Sequence, residues 1–157
     1  MKIASAFASL ENLLTVLGSG LQHVLLLVIR LYWGWSFVQT GWGKLQHIER
    51  TANFFASLHI PLPTLNAVAA SGTECIGGLL LMLGLFTRFA TPALTGVMVV
   101  AYLTAEREAL LGIFGNPDKF TGADPFLFLY AALIVFAFGP GKLSVDGLLR
   151  KKNESAT

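Results

Sequence analysis

Two charged side chains interrupt apolar runs that are long enough to cross a lipid bilayer. Arg30 lies in the run 25–44, and Glu74 lies in the run 68–88. A charge at the centre of a bilayer costs between about 2.5 and 17 kcal/mol, depending on the method of measurement. A charged residue is kept inside a membrane span when it pairs with another charge or performs a function. Arg30 and Glu74 are therefore the first candidates for chemistry.

The spacing around both charges predicts a protein-facing stripe on each of two helices. In both runs the pattern is 4-3-4-3, which keeps side chains on one helical face. The two stripes are Arg30, Gly34, Phe37, Gly41 and Lys44, and Glu74, Gly78, Leu81, Leu85 and Arg88. Gly77, Gly78 and Gly84 would let neighbouring helices approach closely, as small residues do in lipid.

Arg30 and Glu74 are expected to meet. A helix rises about 1.5 Å per residue, which puts Arg30 about 9 Å below one membrane surface and Glu74 about 13 Å below the other. In a core about 30 Å thick their depths then differ by about 8 Å, most of which an arginine side chain can cover. The contact is either a structural ion pair that sets the register of two helices, or part of a functional pocket that Lys44 also reaches.

In the functional alternative, Glu74 is the catalytic residue. Its carboxyl group would carry a proton, or would accept a hydrogen bond from a hydroxyl group or a quinol. Arg30 and Lys44 would hold negative charge on the ligand.

Four further residues are candidates for substrate binding: Gln39, Trp42, Glu106 and Asp124. Gln39 and its neighbour Thr40 complete the pocket or merely bond to the helix backbone, and Trp42 also fits an interfacial aromatic belt. The two acidic residues bracket the outer mouth of the third and fourth apolar runs, where simple solvation is the alternative.

The composition indicates an integral membrane protein of one domain. Of 157 residues, 54% are hydrophobic and 13% are charged, whereas a soluble domain carries about 25% charged residues. The net charge of +2 is too small to suggest a nucleic-acid partner. A single cysteine, Cys75, excludes an internal disulfide and any CxxC motif. We find no ligand set for a metal or haem, no phosphate-binding loop and no sign of a bound flavin.

The expected fold is all-α: a four-helix antiparallel bundle in the membrane, preceded by an N-terminal amphipathic interfacial helix. The interfacial helix would occupy 1–20 and end at Gly18 and Gly20, the membrane domain would occupy 21–148, and a polar basic tail would occupy 149–157. The four spans are predicted at about 22–42, 64–86, 89–105 and 123–138. Six basic residues on the side of the termini against four on the other favour cytoplasmic N- and C-termini.

Several short segments, in this order, resemble the DoxX family over about residues 22–148. They are Arg30, Gly41-Trp42-Gly43-Lys44, Phe54-Phe55, Ile60-Pro61-Leu62-Pro63, Glu74-Cys75-Ile76-Gly77-Gly78, Leu83-Gly84-Leu85-Phe86-Thr87-Arg88 and Gly139-Pro140-Gly141-Lys142-Leu143-Ser144-Val145-Asp146. The family's recurring charged positions match Arg30, Lys44 and Glu74. Glu106 stands where family members often carry histidine, and Asp124 stands where they often carry glutamate.

The resemblance implies a protein of the bacterial inner membrane, akin to the small membrane subunit of thiosulfate:quinone oxidoreductase. The expected function is that of a subunit of a quinone-linked oxidoreductase, which binds a quinone or a small sulfur or phenolic substrate. A soluble redox protein, a second copy of the chain and membrane lipid are the expected partners. The alternative is a non-enzymatic scaffold or small-solute carrier with a structural Arg30–Glu74 pair.

Overall fold

The chain folds into helices joined by short connections. The computed structural model describes the backbone of residues 2–154 and the side chains of residues 10–153. The helices are α1 (Lys2–Gln46), α2 (Ile48–Ser57), α3 (Pro63–Leu83), α4 (Thr87–Thr104), α5 (Arg107–Leu111), α6 (Pro117–Thr121), α7 (Pro125–Phe138) and α8 (Val145–Glu154). Within residues 2–154 there is no β-strand, and the all-α prediction is confirmed.

Helix α1 is longer than the sequence predicted. The break expected at Gly18 and Gly20 is wrong, because one helix continues through both glycines to Gln46. A glycine inside a helix costs only about 1 kcal/mol relative to alanine, which is too little to end a helix of this length. Residues 10–22 are all exposed. The amphipathic helix expected at 1–20 includes residues 1–9, whose side chains lie outside the described part of the chain.

Two helical segments are long and apolar enough to cross a membrane, Leu10–Gln46 and Pro63–Leu83. Helix α7 is strongly apolar but shorter, with 14 residues. Large apolar side chains are exposed along these helices, for example Val28, Ile76 and Leu127. Such a surface suits a lipid environment rather than water.

The contact between α1 and α3 is very close, because glycines of each helix face the backbone of the other. A Cβ atom added at Gly34 would lie 2.8 Å from the carbonyl oxygen of Gly78. One added at Gly41 would lie 2.5 Å from the amide nitrogen of Cys75 and 2.7 Å from the carbonyl oxygen of Ser71. Since residues later in α1 meet residues earlier in α3, the two helices run antiparallel, and the predicted glycine contact through Gly78 is confirmed.

The remaining helices cover this pair. Helix α2 packs on α3, α4 packs on α3 and α7, and α7 also touches α1. The core where they meet consists of Leu26, Phe37, Leu81, Leu94, Met98, Ala132 and Val135. Gly77 faces the side chain of Leu94 on α4, so this predicted glycine lies at the α3–α4 contact. Gly84, the remaining predicted one, ends α3 in a left-handed conformation with φ +66°.

Replacing Gly41 with alanine should destabilise the protein by about 1–3 kcal/mol, because the added methyl group overlaps the α3 backbone. Gly43→Ala is the matched control, two residues along the same helix, where an added Cβ meets nothing within 4 Å. It should be neutral or stabilise by up to about 1 kcal/mol. Denaturant unfolding of both variants in detergent, followed by circular dichroism, measures the difference. Equal effects would contradict the close contact.

Candidate functional site

A salt bridge joins the end of α1 to the middle of α3. The Lys44 Nζ atom donates to Glu74 Oε1 at 2.6 Å and to Oε2 at 2.8 Å. The Glu74 side chain is 1% exposed, whereas that of Lys44 is 40% exposed. The pair lies one turn beyond the close contact at Gly41, so the narrow spacing of the two helices brings the ammonium and carboxylate groups within reach.

The salt bridge borders a cavity of about 850 Å³ that lies among α1, α2, α3 and α4. Most of its lining is apolar. The lining residues include Gln39, Thr40, Gly43, Lys44, His47, Arg50, Thr51, Phe54, Phe55, Leu58, Asn66, Ala70, Thr73, Glu74, Ala93, Gly96, Val97, Val100, Ala101 and Thr104. An apolar cavity of this size with a few convergent polar groups is the usual form of a small-molecule site.

Helix α2 contributes one wall, which the sequence analysis did not identify as part of the site. Lining positions recur at His47, Arg50, Phe54 and Leu58, which is the spacing of one helical face. His47 is exposed and lines the cavity. The regular spacing of these residues directly after Lys44 is the signal that would have identified this wall.

The opposite wall, on α4, is formed by small side chains. Ala93, Gly96, Val97 and Val100 face the cavity. A Cβ atom added at Gly96 would meet nothing within 4 Å, so the space in front of this residue is open. The width of the cavity therefore depends on the small residues of α4.

The charged groups around the cavity are unequal in number. Lys44 and Arg50 are cationic, and Glu74 is the anionic partner. In apolar surroundings charge interactions are stronger than in water. The site therefore suits a ligand that carries or develops negative charge, next to a carboxylate that can accept or donate a proton.

The structure brings together three of the predicted site residues. Glu74, Lys44 and Gln39 all line the cavity. Thr40 lines it too, and its hydroxyl group also donates to the carbonyl oxygens of Ser36 and Phe37, so both alternatives for Thr40 occur together.

Three other predicted binding residues lie away from the cavity lining. Trp42 is 57% exposed and does not line the cavity, because its side chain projects from a different face of α1 than Lys44 does. Glu106 precedes α5, and Asp124 precedes α7, where it makes no side-chain capping bond. None of the three lines the cavity, and their part in substrate binding stays a prediction.

The expected contact between Arg30 and Glu74 is wrong. The Arg30 guanidinium is buried, and its Nη2 atom donates to the carbonyl oxygen of Leu143 beside Gly84. Arg30 precedes Lys44 by fourteen residues, which is about 21 Å along the helix. Because Lys44 holds Glu74, Arg30 lies at the far end of α3. The offset between α1 and α3 therefore brings Lys44, and not Arg30, to the height of Glu74.

A polar junction joins α1, the α3–α4 turn and the segment before α8. It comprises Arg30, Gly84, Leu143 and Asp146. The Asp146 carboxylate accepts hydrogen bonds from the backbone amides of Phe86 and Thr87 at 3.0 Å each, and from the Thr87 hydroxyl at 2.7 Å. The Asp146 amide in turn donates to the carbonyl oxygen of Gly84 at 2.9 Å. The junction is therefore structural and caps the first turn of α4.

The pKa of Asp146 results from opposing effects. Burial raises the pKa, but the hydrogen bonds from Thr87 and Phe86 and the nearby charge of Arg150 favour the carboxylate. The net result is a pKa below the usual value of an aspartate. The capping interaction consequently strengthens when Asp146 is ionised.

The fold and site define an all-helical membrane protein with a partly buried ion pair beside an apolar cavity. The DoxX family model matches residues 25–107. This chain therefore belongs to the DoxX family. The matched region contains Arg30, Lys44 and Glu74, together with the helices that surround the cavity.

Three curated proteins are similar along most of their length. An uncharacterized protein of Haemophilus influenzae is 31% identical, over 86% of this chain and 87% of its own. The "Putative oxidoreductase CatD" of Bacillus subtilis is 29% identical over 65% of this chain and 86% of its own. The "Inner membrane protein YphA" of Escherichia coli is 28% identical over 78% of this chain and 89% of its own. No solved structure matches.

The two halves of the salt bridge should not be equally sensitive to substitution. Lys44→Met leaves the buried Glu74 carboxylate without its partner, and we expect a loss of about 3 kcal/mol. Glu74→Gln leaves the more exposed Lys44, which water can solvate, and we expect a loss of about 1 kcal/mol. Denaturant unfolding of both variants in the same detergent measures the difference. A larger loss for Glu74→Gln would contradict the observed burial.

The junction at Asp146 should make stability depend on pH. Because the folded pKa is depressed, the stabilisation is present above the unfolded value of about 3.9 and is lost as pH falls through the folded value. Asp146→Asn should cost about 1 kcal/mol at pH 7. It should also flatten the decline of the thermal midpoint between about pH 5 and pH 3. Asp124→Asn, which removes no capping bond, is the control, and an equally flat profile in that variant would contradict the assignment.

Proposed function

We propose that this protein is the membrane subunit of a quinone-linked oxidoreductase, with the cavity beside Lys44 and Glu74 as its binding site. The ligand would be a quinone, or a small sulfur or phenolic substrate. The observation that carries the proposal is the juxtaposition of a buried carboxylate, paired with an ammonium group, with about 850 Å³ of mainly apolar space. A scaffold or a purely structural ion pair needs no such space.

The residues present fit a quinone head group. Aromatic side chains of α2, Phe54 and Phe55, and the small side chains of α4 offer apolar surfaces on two sides. Lys44 and Glu74 offer a hydrogen-bond donor and an acceptor at one edge. This combination suits a flat apolar ring with polar oxygen atoms at its rim.

The roles of the two charged residues follow from their burial. Glu74 would accept a proton from a ligand hydroxyl group or return one, since it is the enclosed acidic group at the cavity. Lys44 would stabilise negative charge on the ligand oxygen and restrain the carboxylate between transfers. Arg30 has no part in this chemistry, because it lies in the junction at the far end of α3.

A quinone, when bound, takes up two electrons and two protons and becomes a quinol. The electrons would come from a sulfur substrate or from a soluble redox protein that docks on the membrane subunit. The name of the B. subtilis relative, an oxidoreductase, is consistent with this assignment.

We further propose that α1, α3, α4 and α7 are the four spans of an antiparallel bundle in the bacterial inner membrane. Their mutual packing supports this arrangement, and the E. coli relative is named an inner membrane protein. The basic residues near α8 favour cytoplasmic termini. Association of two or more copies would bury part of the exposed apolar surface.

Quinone binding by the purified chain in lipid nanodiscs tests the proposal. A short-chain quinone, followed by tryptophan fluorescence quenching, should bind to the wild-type chain. Gly96→Leu should weaken binding at least tenfold, because the new side chain enters the open space of the cavity. Gly72→Leu is the matched control, since an added Cβ there also meets nothing within 4 Å and Gly72 does not line the cavity.

Glu74→Gln separates binding from proton transfer. The amide retains the size of the carboxyl group but cannot take up a proton, so quinone reduction in the presence of an electron donor should be lost while the protein stays folded. Unchanged turnover would reject the catalytic role of Glu74. Equal quinone affinity in wild type, Gly96→Leu and Gly72→Leu would reject the cavity as the binding site.

A further inference from the structure

A second, smaller recess lies at the opposite end of the molecule, between the start of α4 and α8. Its volume is about 260 Å³. The lining combines apolar and basic side chains: Phe86, Phe89, Pro140, Leu149, Arg88 and Arg150. None of these residues lines the cavity at Lys44 and Glu74, so the recess is a separate feature.

The apolar part of the recess is open to the surroundings. Phe89 is 78% exposed and Leu149 is 52% exposed. Phe86 is held at the surface by a left-handed backbone conformation, with φ 47°. Such a conformation is costly for a residue with a side chain, and the hydrogen bond from the Phe86 amide to Asp146 stabilises it. The recess is therefore built on a fixed turn.

The basic part of the recess is available for an anion. Arg88 and Arg150 are exposed, and among the described residues neither forms a salt bridge. Lys142 and Lys151 are exposed nearby in the chain. The Asp146 carboxylate also borders the recess, where it interacts with the charge of Arg150 and accepts hydrogen bonds from the first turn of α4. The α4 helix dipole offsets part of its charge, and with Arg88 as a second cation the recess keeps an excess of positive charge.

We propose that this recess binds the phosphate head group of an anionic phospholipid. The phosphodiester would lie between Arg88 and Arg150, and an acyl chain would follow Phe89 and Leu149 into the bilayer. Two observations favour a lipid over a free anion: the apolar surface continues directly from the cationic pair, and α4 leads from the recess along an exposed apolar face. Basic residues at the cytoplasmic surface commonly attract anionic lipids.

Native mass spectrometry of the purified full chain tests this site. The protein is released from detergent after incubation with phosphatidylglycerol or with phosphatidylcholine of the same acyl composition. The wild-type chain should retain more phosphatidylglycerol. Each basic side chain near an anionic surface contributes about fivefold in affinity, so the double variant Arg88→Gln/Arg150→Gln should lose at least tenfold.

Arg107→Gln is the control for a general loss of positive charge. Arg107 is exposed and follows the other end of α4, about 27 Å away along the helix. The Arg107→Gln variant should retain as much phosphatidylglycerol as the wild-type chain. Phe89→Ala should weaken retention of both lipids while preserving the preference for phosphatidylglycerol, which separates the acyl contact from the head-group contact.

Three results would overturn the proposal. Equal retention of the two lipids would show that no charge is recognised. An equal loss in Arg107→Gln and in the double variant would show a bulk charge effect. Displacement of phosphatidylglycerol by millimolar glycerol 3-phosphate would show a site for a soluble phosphate. Circular dichroism of each variant checks that the helices are intact. Because both arginines are exposed, their replacement is not expected to unfold the protein.

Discussion

The close approach of α1 and α3 is the constraint on which the other features depend. Gly34, Gly41 and Gly78 carry no side chains, so the backbones of the two helices meet directly. In lipid, where no hydrophobic effect drives helices together, van der Waals contact of this kind provides much of the association. It also determines the register, and the register places Lys44 rather than Arg30 against Glu74.

One face of α1 therefore makes two different polar contacts, one through Lys44 and one through Arg30. At the Lys44 end it supplies the cation of a polar site that opens into the cavity. At the Arg30 end it supplies a buried guanidinium that attaches the segment before α8 to the α3–α4 turn. The contact of Arg30 is structural. In the same junction Asp146 caps α4, which begins 59 residues earlier in the chain. The separation of the two contacts explains why two cations on one stripe have different partners.

The sequence predicted three of the long helices, the buried stripes on α1 and α3, and three of the residues that line the cavity, Gln39, Lys44 and Glu74. Apolar runs and 4-3 spacing gave α3, α4 and α7 to within a few residues, and burial of Arg30, Phe37, Glu74 and Leu81 follows the predicted faces. These features depend on local periodicity, which a single sequence contains. The resemblance to the DoxX family is confirmed by the family match.

The sequence did not specify which cation pairs with Glu74. The pairing depends on the offset between two helices, which a single sequence does not specify. Arg30 and Lys44 lie about 21 Å apart along α1, and the offset decides which of them meets Glu74. The continuous course of α1 through Gly18 and Gly20 was missed because glycine weakens a helix without always ending it. The α2 wall was missed because its residues are individually ordinary, and only their common helical face relates them to the site.

The two sides of the cavity differ in what they contribute. The charged pair belongs to α1 and α3, whose mutual fit tolerates little change. The α4 side consists of Ala93, Gly96, Val97 and Val100, and none of these takes part in the salt bridge. Exchanges among small and medium-sized side chains on α4 would reshape the space while leaving the proton-handling groups in place. A scaffold divided in this way allows evolution to alter ligand preference through one helix without rebuilding the chemistry.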